Sequence, residues 1–272
     1  MPAKGSQPVR RGPPGSPPEG RPSKRQKTVK SVPPSGPVFD EDGPIGLEWD
    51  GEDYSCAYDT LFTILYDIWV QDPKIWTRRL RRIGNEFLTA LSKGFRHFEA
   101  GEMSLEDVRD GIRSLLHAHS PDEFPWGQVG ASVGALASTM LNSQHAVSCS
   151  QLRCTSCDYE GPEVDDRLGY AVCATGPAPA STSQWIRGLG QEDRNLCPQC
   201  MSPVTKDISY RDVPSLLSLE YPDKDIRTSH RIVFVTDDGH VPLYLRGIIY
   251  SGGFHFTAWI IHPDGSIWYH DR

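Results

Sequence analysis

The sequence predicts an α+β fold, and three observations carry that prediction. Apolar residues recur at helical spacing through the first half of the chain. Short β-branched and aromatic runs occupy its last fifth or so, and a turn-rich stretch with two CxxC pairs lies between. Helices first and an antiparallel sheet later, with a metal knuckle inserted, is an α+β arrangement. No internal repeat is visible.

The bulk properties fit a single core. At 272 residues, 38% hydrophobic and 23% charged, the chain has enough material for one sizeable apolar interior. No 18-residue apolar run occurs, so no membrane span is expected. The opening MPAKGSQPVRR has no hydrophobic stretch after its charges and does not read as a secretory signal. Residues 1–43 are rich in Pro, Gly, Ser, Lys and Arg, too poor in large apolar side chains to offset ordering entropy, and read as a disordered basic tail. Within it, Lys24-Arg25-Gln26-Lys27 is compatible with nuclear import, although such clusters are frequent by chance. The expected location is intracellular, nucleus or cytoplasm. Charge divides the chain: residues 1–38 carry eight basic residues against Glu19, and the remainder carries 20 basic against 34 acidic residues. An acidic body suits a basic protein partner and makes nucleic acid a poor primary ligand, except weakly through the tail.

The elements follow in order. From Cys56 the residues Leu61, Phe62, Ile64, Leu65, Ile68 and Trp69 mark a helix that Asp53 or Ser55 can cap. Trp76 to Phe98 reads as a second helix, with Leu80, Ile83, Phe87, Leu88 and Leu91 inward and Arg78, Arg79, Arg81 and Arg82 mostly outward. Ser104, followed by Glu106 and Asp107, starts a third that runs through Leu116, and Ser132 to Val147 reads as a fourth. Gln151 to Arg211 is turn-rich, with Ala174 to Ser183 as a flexible insertion. Strand-like runs then occupy Leu216–Leu219, Arg231–Thr236, Val241–Tyr250, Phe254–Ile261 and Ser266–Tyr269. Asp237-Asp238-Gly239 and Pro263-Asp264-Gly265 are the hairpin turns among them.

Cys154-x2-Cys157 and Cys197-x2-Cys200 have the spacing of zinc knuckles. Each CxxC puts two thiolates on one tight turn, and two such turns complete a tetrahedral shell. A redox role is the alternative, but two copies without a thioredoxin-like βαβ context favour metal. Four cysteine ligands leave no open coordination position, so the Zn2+ expected here is structural. Cys149 and Cys173 need no role beyond that of incidental or buried thiols.

Cys56 opens an amphipathic helix, where the helix N-terminus favours a thiolate. Taken alone, a cysteine there is more often a buried apolar residue. Pro263-Asp264-Gly265 as a three-residue loop pairs His262 with Ser266 and Thr257 with Asp271. In that register His255 and Asp271 share a face as diagonal neighbours, within side-chain reach. A carboxylate in that position can hold an imidazole tautomer and orient it toward a thiolate. A slip of one residue would separate them. His240, His262 and His270 lack a comparable setting.

On these residues the chain resembles the ubiquitin-specific proteases, papain-like cysteine peptidases with a helical thumb, an antiparallel β palm and zinc-bearing fingers. Gly46-Leu47-Glu48 followed by Ser55-Cys56-Ala57-Tyr58-Asp59-Thr60-Leu61 resembles a divergent form of that family's Cys box. The stretch from Leu245 to Phe256, with Gly252-Gly253-Phe254-His255, is similar to its His box, and Trp268-Tyr269-His270-Asp271 to the segment with its third triad member. Val213-Pro214-Ser215-Leu216-Leu217 is similar to the strand that returns from fingers to palm.

The resemblance implies a catalytic domain over residues 44–272 with a fingers insertion at about 148–211. It implies Cys56, His255 and Asp271 as the catalytic set and Cys154, Cys157, Cys197 and Cys200 as zinc ligands. The activity implied is a thiol isopeptidase acting on the Gly-Gly bond of ubiquitin or a ubiquitin-like modifier such as SUMO. Asp59, where most members have Asn, is similar to divergent members that act on SUMO.

Three departures stand beside the match. The spacing from Gly46 to Cys56 is two residues longer than in the family. Residues 40–60 contain no Asn or Gln, so the family's oxyanion amide falls on Trp49 or Gly51, and backbone N–H groups at Cys56 would take its role. The chain stops at Arg272, one residue past Asp271, where the family continues into another strand, so either the sequence is truncated or the edge is finished differently. Two other readings stay open: a catalytically impaired modifier-binding or scaffold protein on the same fold, and an unrelated zinc-ribbon protein.

Overall fold

A computed structural model describes residues 45–173, 178–188, 196–222 and 225–271. The expected disordered tail at 1–43 lies outside the described residues, as does 174–177 of the expected insertion.

The first half is helical because its apolar residues can all be buried around one helix. In α1 (Cys56–Val70) every residue from Cys56 to Trp69 is buried. It is enclosed by α2 (Pro73–Ile83), α3 (Glu86–Glu99), α4 (Leu105–His119) and α5 (Val133–Leu141). Tyr58, Phe62 and Trp69 of α1 share a core with Leu80, Leu88, Leu91, Phe95, Leu116 and Leu136. Burying each such side chain contributes about 1.5–3 kcal/mol.

The single helix expected over Trp76–Phe98 is two. The apolar stripe continues through both, which hides the break in a periodicity count. Gly84 stops α2 in the left-handed region at φ 90°. Asn85 then caps α3, its Oδ1 accepting from Leu88 N at 2.9 Å and its Nδ2 donating to the Met140 carbonyl at 2.5 Å. The first of the pair also starts earlier than expected, with Asp72 accepting from Ile75 N and Pro73 in the first turn. The helix start at Ser104 is as expected, and the structure closes it with a reciprocal box in which Ser104 Oγ accepts from Asp107 N and Asp107 Oδ2 accepts from Ser104 N, both at 3.0 Å. α5 ends at Leu141 rather than Val147, because Asn142 turns to accept from the amides of Gly169 and Tyr170.

The strands are β1 (Ser148–Cys154), β2 (Val164–Asp166), β3 (Tyr170–Val172), β4 (Val204–Tyr210), β5 (Ser218–Glu220), β6 (Arg231–Thr236), β7 (Gly239–Tyr244), β8 (Gly247–Gly252), β9 (His255–Ile261) and β10 (Ile267–His270). A short helix α6 (Thr182–Gly188) takes up the end of the expected insertion. One antiparallel sheet was expected, and the described residues form three instead. Their orders are β2-β1-β4-β6-β7, β10-β9-β8 and β3-β5; β4–β6 and β3–β5 are parallel. The expected strand Val241–Tyr250 breaks at Leu245-Arg246, where the chain leaves one sheet for the next. The Arg246 carbonyl already accepts from Ile261 N of the second sheet, and its side chain reaches Asp67 at 3.2 Å and the Ile261 carbonyl at 2.9 Å.

The β8–β10 sheet packs on α1. Ile64 and Ile68 meet Ala258 and Ile260. Gly247 comes so close that a Cβ there would lie 2.5 Å from Ile64 Cδ1. Asp67, further along α1, pairs with His262 at 3.2 Å just beyond the end of β9. Helix and strand therefore run in the same sense, and Cys56 and His255 open them at the same end. Among the described residues no helix is long and apolar enough to cross a membrane.

The Asn85 joint provides a stability test. Asn85→Ala removes a cap, worth about 1 kcal/mol, and strips a hydrogen bond from the Met140 carbonyl, worth about 1–3 kcal/mol. A loss of about 2–4 kcal/mol in chemical denaturation is expected from those two contributions.

Candidate active site and metal centre

The β9–β10 hairpin pairs Ile261 with Ile267 and Ala258 with His270, and His262 N–H donates to Ser266 O at 3.0 Å. This is the register expected from Pro263-Asp264-Gly265, closed by Gly265 at φ 89°. It brings His255 and Asp271 together, with Nε2 to Oδ1 at 2.7 Å, while Tyr269 Oη donates to Asp271 Oδ2 at 3.2 Å. The hydrogen bond from His255 holds the Asp271 carboxyl below its ordinary value. An ionised carboxylate can only accept, so Nε2 carries the proton and Nδ1 is left as the basic nitrogen. Both side chains are open to solvent.

His255 follows a two-residue turn. Gly252 pairs with His255, and the turn residues Gly253 and Phe254 have φ 59° and 65°. Positive φ at both central residues is the hairpin-favoured geometry, but the second would ordinarily be Gly, Asn or Asp. Phe254 instead projects a fully exposed ring beside His255.

Cys56 is the first residue of α1 and 8% exposed. The 45–55 segment that leads into it touches the hairpin. Gly46 lies against the His270 ring, so closely that a Cβ would be 2.5 Å from Nδ1. The Trp49 ring meets the His255 ring edge-on at 6.5 Å and stacks with Tyr54 at 6.4 Å. Counting the family's spacing puts its amide position on Trp49 or Gly51, neither of which offers a side-chain amide; the contact of Trp49 with His255 had no sequence signal.

Ser55 and Asp53 do not cap α1 with their side chains as expected. Ser55 Oγ donates to Asp59 Oδ2 at 2.5 Å and accepts from Asp50 N at 2.7 Å, while Asp53 Oδ1 accepts from Gly127 N at 2.6 Å. Asp59 is 1% exposed and pairs with Arg109 Nη1 at 3.0 Å. Burial pushes its carboxyl up to about 6, against the Ser55 hydroxyl and the Arg109 charge. Arg109 itself is raised: burial opposes its charge, but Asp110 and Asp59 more than offset it. At neutral pH the pair is therefore ionised, one turn above Cys56.

Of the remaining candidates, His240 lies on exposed β7 and His262 serves Asp67. Cys149 contacts Ser209 Oγ at 3.1 Å, and Cys173 is buried beside Trp185 and Ile226.

The two CxxC turns converge. Cys154 ends β1, and its partner across the ladder is Val204 of β4, just past the second turn. All four sulfurs lie within 4.8 Å of one another, with Cys154–Cys200 at 3.4 Å and Cys157–Cys197 at 3.6 Å. Ligands about 2.3 Å from one metal at tetrahedral angles would be about 3.8 Å apart, so the donor set fits a zinc-sized ion. The Ser156 and Gln199 amides point at Cys154 and Cys197 sulfur at 3.3 and 3.4 Å, stabilising thiolates at both turns. The thiols cannot all ionise unaided. Hydrogen bonds from Ser202 bring Cys200 down to about 6. Cys157, despite a backbone hydrogen bond from Tyr159, goes up to about 12 under desolvation and its three neighbouring thiols. A bound cation would remove that conflict.

No family model matches the chain, and no curated protein matches its sequence. Among solved structures, the Neurospora crassa Pan2 catalytic unit, containing a protease and a nuclease domain, is similar with a TM-score of 0.52 at 10% identity. The match covers 80% of this chain and 49% of that one, so the chain spans about half the Pan2 unit. The SAGA DUB module of Ubp8, Sgf11, Sus1 and Sgf73 bound to monoubiquitin matches with a TM-score of 0.46 and 13% identity, over 89% of this chain and 67% of that one. The Saccharomyces cerevisiae PAN2 pseudoubiquitin-hydrolase matches with a TM-score of 0.41 and 14% identity, over 78% and 72%. At these identities the Pan2 unit supports a shared mixed helix-and-sheet fold and nothing finer.

Asp59 makes stability depend on pH. Its folded-state pKa lies above the ordinary 3.8, so its favourable contribution is full below that value and is lost as pH rises through about 6. The stability difference between the parent and Asp59→Asn should therefore shift against the parent by about 3 kcal/mol across that window. Denaturation series at several pH values check this, and a flat difference would contradict it.

Proposed function

We propose that the chain is a thiol isopeptidase that hydrolyses the Gly-Gly isopeptide bond between lysine and ubiquitin or a ubiquitin-like modifier such as SUMO. The observation that carries the reading is the His255–Asp271 hydrogen bond, formed at the same end of the fold as Cys56. Asp271 holds the Nε2–H tautomer, so Nδ1 of His255 takes the thiol proton from Cys56. The thiolate adds to the carbonyl carbon of the terminal glycine. Backbone N–H groups in the first turn of α1 face the resulting oxyanion, since no side-chain amide occupies residues 40–60. His255 returns the proton to the lysine nitrogen as the C–N bond breaks, leaving a thioester. Water, deprotonated by His255, then releases the modifier and regenerates Cys56.

Zn2+ held by Cys154, Cys157, Cys197 and Cys200 would cross-link the tip of the β1–β4 ladder. Four thiolates fill its coordination shell, so it serves structure only.

A second reading has its own support. The missing amide, together with a Cys56 only 8% exposed, favours a modifier-binding protein with little or no turnover.

Ubiquitin and SUMO bearing C-terminal electrophiles separate the two readings. With zinc-loaded protein, one probe should form an adduct at Cys56. Cys56→Ala should abolish it, and His255→Ala should slow it on the order of 10³-fold. Failure of both probes on folded protein would remove the catalytic reading, and modifier binding that survives Cys56→Ala without turnover would establish the second.

Elemental analysis should find one zinc per chain. Cys154→Ser should lose it and lower stability by about 3–4 kcal/mol, the linkage expected with metal at a few hundred times its Kd. A metal-free parent of unchanged stability would contradict the assignment.

A further inference from the structure

Two arginines one helical turn apart on α4 sit inside the protein, Arg109 at 3% and Arg113 at 2% exposure. Residues so spaced share a helix face, and both contact the 48–55 segment that leads into Cys56. Arg109 Nη1 donates to the Glu48 carbonyl at 2.8 Å and reaches Asp59 Oδ1 at 3.0 Å and Ser55 Oγ at 3.3 Å. Its Nε is held by Asp110 Oδ1 at 2.8 Å. Arg113 Nη2 donates to the Asp53 carbonyl at 2.6 Å, and its guanidinium lies 4.8 Å from the Tyr58 ring and 4.5 Å from the Trp126 ring. Beyond that carbonyl, its contacts among the described residues are with these rings, and its charge and hydrogen-bonding capacity are turned to the Tyr58 hydroxyl.

Burying cations is an expensive way to fill a core, and well-packed apolar residues usually do it at least as well. Arg113 is the clearer case, because among the described residues no carboxylate forms an ion pair with it, and its one backbone hydrogen bond goes to the Asp53 carbonyl. What these side chains hold is a loop at two carbonyls. Glu48 precedes Trp49, whose ring meets His255. Asp53 precedes Tyr54, which has φ 42° and stacks on Trp49. An aromatic residue at positive φ is strained, and such strain persists where the surroundings over-determine it. The rest of the loop is secured by Asp50, whose Oδ1 accepts from the amides of Glu52 and Asp53.

We propose that Arg109 and Arg113 are positioning residues that fix the 48–55 loop, setting Trp49 against His255 and the Tyr54 kink ahead of Cys56. This rests on the reading of Cys56 as nucleophile and His255 as its base. The clamp stands in for the absent side-chain amide: oxyanion stabilisation then falls to backbone N–H groups, whose aim depends on this loop.

Lysine keeps the charge but loses the planar fork and the ring stacking. The test therefore uses Arg109→Lys and Arg113→Lys in the full zinc-loaded chain. Cys56 alkylation by iodoacetamide is followed by mass spectrometry as a function of pH, beside the thermal midpoint and hydrogen exchange of the 48–56 peptides. Expected are folded variants with midpoints within a few degrees of the parent and faster exchange confined to 48–56. Cys56 alkylation near neutral pH should fall by between about ten- and a hundredfold, and a further His255→Ala substitution should then lower it little more. If either variant fails to fold, Trp126→Leu, which removes one face of the Arg113 stack, supplies the same readouts. A parent whose alkylation is indifferent to His255→Ala would overturn the catalytic reading itself. A His255-dependent parent with indistinguishable lysine variants would overturn this inference alone. So would loss of folding in all three variants, since the arginines would then be holding the core and not the loop.

Discussion

The structure depends on the burial of α1 from every side. Helices cover one part of its surface, through Tyr58, Phe62 and Trp69, and the β8–β10 sheet covers another, through Ile64 and Ile68. A helix enclosed this way has little freedom to slide or rotate, because each shift would open voids on one side and overlaps on the other. Its alignment with β9 sets Cys56 and His255 at a common end. The chemistry proposed for the site depends on that packing.

Polar groups on α1 sharpen the alignment. Asp67 reaches His262 and Arg246 at the far end of β9, and Asp59 reaches Ser55 and Arg109 near Cys56. Both carboxyls are raised by burial, so the fold tolerates them through their partners. One anchors the sheet against the helix, and the other anchors the loop that precedes the thiol. The His255–Asp271 pair differs in being solvent-exposed, and it relies on hairpin register instead of enclosure.

What was legible in the sequence was whatever local rules control. The helix start at Ser104, the three-residue loop at Pro263-Asp264-Gly265 and the resulting His255–Asp271 register follow from short-range geometry, and the convergence of the two CxxC turns from the ligand chemistry their spacing encodes. The errors arose where a long-range partner decided. The break at Gly84-Asn85 is sealed by Met140, and the split of Val241–Tyr250 by Arg246 reaching Asp67. Arg109 and Arg113 carry charge on the buried side of an otherwise ordinary amphipathic pattern, and charge on a helix reads by default as solvated. The partners that explain their burial, the carbonyls of Glu48 and Asp53 and the Asp59 carboxylate, are distant in sequence.

The central claim is that packing of α1 on β9 sets Cys56 within reach of residue 255. A short bifunctional thiol cross-linker applied to His255→Cys protein, with zinc shielding the four knuckle cysteines, measures that directly. The account predicts an intramolecular link between Cys56 and the new thiol in folded protein, lost on denaturation. Independent modification of both thiols, with no link formed, would contradict it.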